Sequence, residues 1–118
     1  MFYKKIDSVR YAFTGIRVAW REEFSFRIQI VTALIVVLFG WFVGLSAWEW
    51  VMVVFLIGFV LSAEVFNTAL EEFCDMVKND PDPHIAKIKD LAAAAVLIAS
   101  ITSIIVGILI FLPHLAAV

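Results

Sequence analysis

The chain has 118 residues, 64% of them hydrophobic, with a mean hydropathy of +1.00 and a formal net charge of −2. That composition excludes an ordinary soluble globular domain, in which about half of the residues are apolar. The charges are clustered along the sequence, so the net value says little about partners and nothing points to nucleic acid; the single cysteine, Cys74, excludes an intrachain disulfide.

Residues 1–26 carry Phe2, Ile6, Val9, Phe13, Ile16, Trp20 and Phe24 at spacings of three and four. Lys5, Arg10, Arg17 and Arg21 fall mostly elsewhere around the same helix. The pattern predicts an amphipathic helix lying on a membrane surface, with Gly15 as a point where it bends. The stretch is too charged to act as a signal peptide.

A transmembrane helix needs about 20 mostly apolar residues. Residues 28–48 are all but uninterrupted apolar sequence without a charge, and so are residues 91–112. Between them, residues 50–63 are too few to span before Glu64 interrupts, so the second span must run through Glu64, over 50–72. Gly44-Leu45-Ser46 predicts a tight turn before it. The segment from Lys78 to His84, through Asn79-Asp80-Pro81-Asp82-Pro83, predicts a polar connection, with a new helix beginning near Ile85. The small residues Ala92, Ala93, Ala94, Ala95, Ala99, Ser100 and Ser103 suit close helix approach in the third span. The expected fold is therefore an all-α membrane protein: one domain over 1–118, with a surface helix and three spans. Three spans make a thin core, so the chain is expected to oligomerise.

Lys4, Lys5, Arg10, Arg17, Arg21 and Arg27 precede the first span, and Lys78, Lys87 and Lys89 lie between the second and third. The connection over 43–50 has no basic residue. The asymmetry predicts a multi-pass protein of the bacterial inner membrane, N-terminus in the cytoplasm and C-terminus outside. Trp41, Trp48 and Trp50 suit the outer aromatic belt.

Glu64, Asn67, Glu71 and Asp75 follow one another at i, i+3, i+7 and i+11. At ~100° per residue they fall within ~80° of one another, on one stripe of a helix. Counting ~1.5 Å per residue from Trp50 at the outer interface puts Glu64 ~21 Å into a ~30 Å core, and Glu71 near ~32 Å, at the inner interface. A carboxylate at lipid depth costs at least ~2.5 kcal/mol, so Glu64 reads as functional. There it is placed to take a proton from a hydroxyl at the end of a lipid. Glu23 and Glu71 are hard oxygen donors of the kind Mg²⁺ takes, one or two at a time, together with substrate phosphates. Lys89 suits a phosphate as a point charge, and Asp90 stands beside it.

Each of these residues has a plainer reading. Glu72 points ~80° away from Glu64 and suits a solvated helix end, as do Glu71 and Asp75. Glu22 or Glu23 also suits neutralising nearby arginines, Lys89 a positive-inside anchor, and Asn67 an interhelical contact. His84 and His114 have no metal-ligand company in the sequence. There is no P-loop, Rossmann glycine pattern or CxxC.

Glu64-Val65-Phe66-Asn67-Thr68-Ala69-Leu70-Glu71 and Lys89-Asp90-Leu91-Ala92-Ala93-Ala94-Ala95-Val96 resemble the two signature stretches of the small prokaryotic lipid kinases, the diacylglycerol kinase and undecaprenol kinase family. Gly15-Ile16-Arg17-Val18-Ala19-Trp20, Glu23 and Phe26-Arg27 also match its pattern. The resemblance implies a homotrimer of three-span subunits with MgATP sites at subunit boundaries. It implies Glu64 as the catalytic base, with Asn67 and Asp90 supporting it. Glu23 and Glu71 become the metal-binding carboxylates and, with Lys89 and Asp75, the ATP site. Arg17, Ala92 and Ala93 fall to the lipid. The diacylglycerol kinase branch typically has Gly-Ser where this chain has Ala92-Ala93, and the Ala-rich version resembles the undecaprenol kinase branch. Undecaprenol is the expected substrate and diacylglycerol the alternative. A reading of another class is a small oligomeric channel or transporter with Glu64 on an ion path.

Overall fold

The helices begin and end where local backbone chemistry dictates. In the computed structural model, which describes residues 2–77 and 80–117, they are α1 (Phe2–Glu22), α2 (Phe24–Val43), α3 (Ala47–Val77) and α4 (Pro83–Ala116). Met1, Val118 and, in the predicted connection, Lys78 and Asn79 lie outside the described residues, as do the side chains of Phe2, Tyr3 and Lys4. No strand occurs among the described residues.

A single extended residue, Glu23 (φ −113°, ψ 110°), separates α1 from α2. Its N–H still donates to the Ala19 carbonyl at 2.9 Å, and its own carbonyl accepts from the Arg27 N–H at 3.3 Å. Glu23 thus closes one helix and opens the next, earlier than the surface helix expected over 1–26. α2 then stops at Val43, short of residue 48, because Gly44 adopts φ +77°, a left-handed conformation that glycine takes without strain. The Gly44 and Leu45 N–H groups both donate to the Gly40 carbonyl, at 3.0 and 3.2 Å.

α3 opens with a reciprocal cap. The Ser46 N–H donates to Glu49 Oε1 at 2.9 Å, and the Glu49 N–H donates to Ser46 Oγ at 3.3 Å. α4 opens on Asp82, whose Oδ1 accepts from the His84 N–H at 2.8 Å, with Pro83 in the first turn. It continues without a break through the predicted third span.

α2, α3 and α4 are long and apolar enough to cross a membrane. α3 has 31 residues and α4 has 34, giving lengths of ~46 and ~51 Å, well beyond a ~30 Å hydrocarbon core. Each therefore projects past the apolar layer. The most extensive helix pairing is α3 with α4. Ala92 and Ala99 are buried along α4, and their small side chains let the two helices approach closely. At the other end Leu45, Val53 and Ile110 form a small core with Trp50, Val106 and Phe111. Most of the apolar surface of the spans is uncovered within one chain, with Trp41 and Phe42 each more than 80% exposed. Such a surface requires lipid or other protein against it.

Candidate functional site

The polar stripe of α3 forms a gradient of burial. Glu64 is 5% exposed, the one buried charged residue among those described. Asn67 and Glu71 are half-buried, and Asp75 is exposed. Val53 and Val60 are buried one to three turns before Glu64. The carboxylate thus prolongs an apolar face rather than pointing away from it. Thr68 Oγ1 donates to the Glu64 carbonyl at 2.9 Å, so that hydroxyl satisfies itself on its own helix.

Side chains from the start of α2 meet this stripe. Gln29 shares a cavity wall with Val60 and Leu61, one turn before Glu64, and lies near the Glu64 carboxylate. Glu23, in the one-residue break, lies close to Glu71. Partial burial is the main cause that raises the Glu23 carboxyl pKa above its ordinary value, and the charges of Glu71, Glu22 and Glu72 add to it. Like charges gathered this way favour a cation between them. Asn67 Nδ2 donates to Glu71 Oε1 at 3.5 Å. Asn67 Oδ1 is buried without a partner among the described residues. A buried acceptor left unpaired costs ~1–3 kcal/mol, so a donor or a cation is favoured beside it.

These groups fit Mg²⁺ and a nucleotide. The Glu23 and Glu71 carboxylates and the Asn67 amide oxygen are hard donors. Among the described residues, no three acidic, histidine or cysteine side chains make a metal cage. A cation that completes its shell with water and phosphate oxygens does not need one.

α4 supplies the cationic group. Lys89 Nζ lies 2.6 Å from Asp75 Oδ1 across the α3–α4 interface. Lys89 stands ahead of the apolar part of α4, and the hydrogen bond to Asp75 raises its ammonium pKa. Ala92, one turn on, is buried. Asp90 and Ala93, rotated by ~100° from Lys89 and Ala92, are exposed, and so is Arg17 on α1. One chain therefore gathers Glu23, Glu64, Asn67 and Glu71, with the Lys89–Asp75 pair next to them. It leaves Asp90, Ala93 and Arg17 facing outward.

A cavity of about 570 Å³ lies between α2, α3 and α4. Gln29 and Thr32 line it from α2, Val60 and Leu61 from α3, and Ser103 and Phe111 from α4. Val60 and Leu61 are one turn from Glu64, so the cavity begins beside the buried carboxylate and continues into apolar surroundings. Gln29 is absent from the candidates read from sequence. Its signal was a lone amide in an otherwise apolar run. The start of α3 and the end of α4 hold a second pairing missed in the sequence: His114 Nε2 is 3.0 Å from both carboxylate oxygens of Glu49. Ser46-x-x-Glu49 was its legible half, as a capping signature. Cys74 is buried and makes no disulfide.

The family model of prokaryotic diacylglycerol kinase matches residues 10–111. The chain is 39% identical over 101 residues to undecaprenol kinase of Bacillus subtilis (strain 168), covering 86% of this chain and 82% of that protein. It is 28% identical over 113 residues to diacylglycerol kinase of Escherichia coli (strain K12), covering 96% and 93%. It is 36% identical over 109 residues to diacylglycerol kinase of a Synechocystis strain, covering 92% and 62%. The matched residues include the whole cluster from Glu23 to Asp90, and the chain belongs to the prokaryotic diacylglycerol kinase family of membrane lipid kinases.

Proposed function

We propose that the protein transfers the γ-phosphoryl group of ATP to the hydroxyl of undecaprenol, yielding undecaprenyl phosphate and ADP. The observation that carries this reading is the burial of Glu64 beside an apolar cavity, with hard oxygen donors and a lysine along the same helix pair. A lipid alcohol and a nucleotide can meet only where apolar and aqueous surroundings adjoin, and the stripe from Glu64 to Asp75 crosses such a boundary.

In this reading the hydrocarbon lies against the cavity and the hydroxyl faces Glu64. The hydroxyl oxygen attacks the γ-phosphorus, its proton passes to the Glu64 carboxylate, and the bond to the β-bridging oxygen breaks to release ADP. Glu23 and Glu71 hold Mg²⁺, which neutralises phosphate charge when bound. Asn67 fixes Glu71 through its amide N–H. Lys89 contacts the ATP phosphates, exchanging one oxyanion partner for another, and Asp75 sits at the nucleotide end. Asp90, Ala93 and Arg17 face outward in one chain, which supports a homotrimer whose sites lie at subunit boundaries. Arg17, Ala92 and Ala93 act toward the lipid. α1 lies on the cytoplasmic membrane surface by its exposed Ile6, Val9, Phe13 and Ile16, and the C-terminus is outside. Membership of a kinase family weighs against the channel or transporter reading.

Undecaprenol is favoured over diacylglycerol by Ala92-Ala93 and by the name of the Bacillus subtilis relative. Diacylglycerol is the second reading, favoured by the names of the Escherichia coli and Synechocystis relatives. The test is phosphoryl transfer from labelled ATP by the protein in a lipid-like detergent with Mg²⁺, given each alcohol in turn. Transfer mainly to undecaprenol is expected. Transfer mainly to diacylglycerol reverses the substrate assignment, and transfer to neither refutes both.

A further inference from the structure

α2 carries one residue that the kinase reading leaves unused. Between Arg27 and its outer end, the helix holds only two polar side chains, Gln29 and Thr32. A threonine hydroxyl can return to a carbonyl of its own helix. A glutamine amide, with two N–H groups and a carbonyl, is costly in lipid unless another group receives it. Gln29 is half-buried and stands on the wall of the α2–α3–α4 cavity. Across the same cavity stand Val60 and Leu61 of α3, one turn before Glu64, and the buried Glu64 carboxylate is the polar group near the amide.

We infer that Gln29 is a positioning residue for Glu64, donating an amide N–H to one carboxylate oxygen and so turning the other toward the end of the cavity where the lipid hydroxyl arrives. The donor direction follows from chemistry: an ionised carboxylate only accepts, and a primary amide offers two N–H groups. A base on a flexible side chain needs a third group to hold it in the productive rotamer, as base-orienting partners do in nucleophilic sites generally. Ser103 is not that group, because its hydroxyl donates to the Ala99 carbonyl at 2.9 Å. The inference rests on the reading of Glu64 as the base.

The test compares Gln29→Met, Gln29→Ala and Glu64→Gln in the full-length protein, purified in a lipid-like detergent, with kcat, both KM values and Tm measured for each. Methionine keeps the length of glutamine, removes the amide and suits an apolar span. Alanine removes the amide and the bulk together, which guards against a packing artefact of the first variant. We expect kcat to fall about 10- to 100-fold in both Gln29 variants, the rate equivalent of one hydrogen bond to a charged group. The KM values for ATP and lipid should stay within about twofold, and Tm should not fall in Gln29→Met. An inactive Glu64→Gln beside Gln29 variants of wild-type kcat overturns this inference and leaves the base assignment standing. Gln29 variants in which kcat and Tm fall while both KM values rise overturn it too, since that pattern marks a structural residue. A near-normal Glu64→Gln removes the base assignment, and the inference with it.

Discussion

Lys89 and Asp75 form an ion pair at 2.6 Å between helices, fourteen residues apart in the chain. Their side chains are 37% and 62% exposed, so the pair is open to solvent and to ligands. An exposed pair of this kind adds little to stability. Its consequence is positional: Asp75 holds the ammonium about one turn from Glu71, where a phosphate held by a cation on Glu71 would compete for it. Lys89→Met is therefore expected to raise the KM for ATP about tenfold or more, the loss of one charge-assisted contact, with little change in Tm. Steady-state kinetics over a range of ATP concentrations, with a thermal melt of the same sample, measure both. An unchanged KM would assign Lys89 to helix anchoring instead.

Glu64→Gln replaces the buried carboxylate by a neutral isostere. Loss of a general base costs about 10²- to 10⁴-fold in rate, and that loss is expected in kcat with nucleotide binding retained. A fluorescent ATP analogue reports binding separately from turnover. Glutamine also removes a buried charge from an apolar face, so Tm should hold or rise. Loss of nucleotide binding together with turnover would place Glu64 in the ATP site and not at the lipid hydroxyl.

The stripe was legible in the sequence because a helix repeats every ~3.6 residues, so spacing alone put Glu64, Asn67, Glu71 and Asp75 on one face. Their burial gradient followed from where the apolar run ended. The Lys89–Asp75 pair was not legible, since it depends on how α4 is rotated against α3 after a Pro-broken connection. The same rotation decides that Ala92 is buried and Ala93 is not, which no count of small residues reveals. Gln29 escaped because charge dominates a reading of apolar runs, and an uncharged amide does not interrupt one. The helix ends were displaced from the expected spans by cap chemistry: an extended Glu23, a left-handed Gly44 and the Ser46–Glu49 box each act over a few residues.

Glu23 gives the site a pH dependence with a definite sign. Partial burial and the nearby Glu71, Glu22 and Glu72 carboxylates raise its pKa. A carboxyl of raised pKa takes up its proton earlier as pH falls, and metal binding needs the deprotonated form. The Mg²⁺ concentration for half-maximal activity should therefore increase as pH falls from neutral into the mildly acidic range. In Glu23→Gln the requirement should be higher at neutral pH and should change less with pH. Glu71→Gln should also weaken the response to Mg²⁺, because in the proposed role it removes the negative charge of a ligand while leaving an oxygen that can still accept from the Asn67 amide. Mg²⁺ titrations at several pH values test all three proteins. A Glu71→Gln variant with an unaltered Mg²⁺ response would remove Glu71 from the ligand set.

The turn between α2 and α3 bears on stability without touching the Glu64 cluster. Ser46→Ala removes the acceptor for the Glu49 N–H and leaves the first turn of α3 without its side-chain cap, at a cost of about 1 kcal/mol. Gly44→Ala keeps the chain but places a Cβ on a residue at φ +77°, which costs roughly 1–2 kcal/mol. Glu49 is shared between the cap and His114, so loosening the cap also loosens the tie between the start of α3 and the end of α4. Both variants should lower Tm while leaving kcat and the KM for ATP at wild-type values below the melting range, because Glu64 lies about 27 Å further along α3 from Ser46 by helical rise. Thermal unfolding in detergent followed by circular dichroism, with activity assayed at low temperature, separates the two quantities. A drop in kcat at full folding would mean that the Ser46–Glu49–His114 clasp governs the geometry of the cavity as well as the stability of the turn.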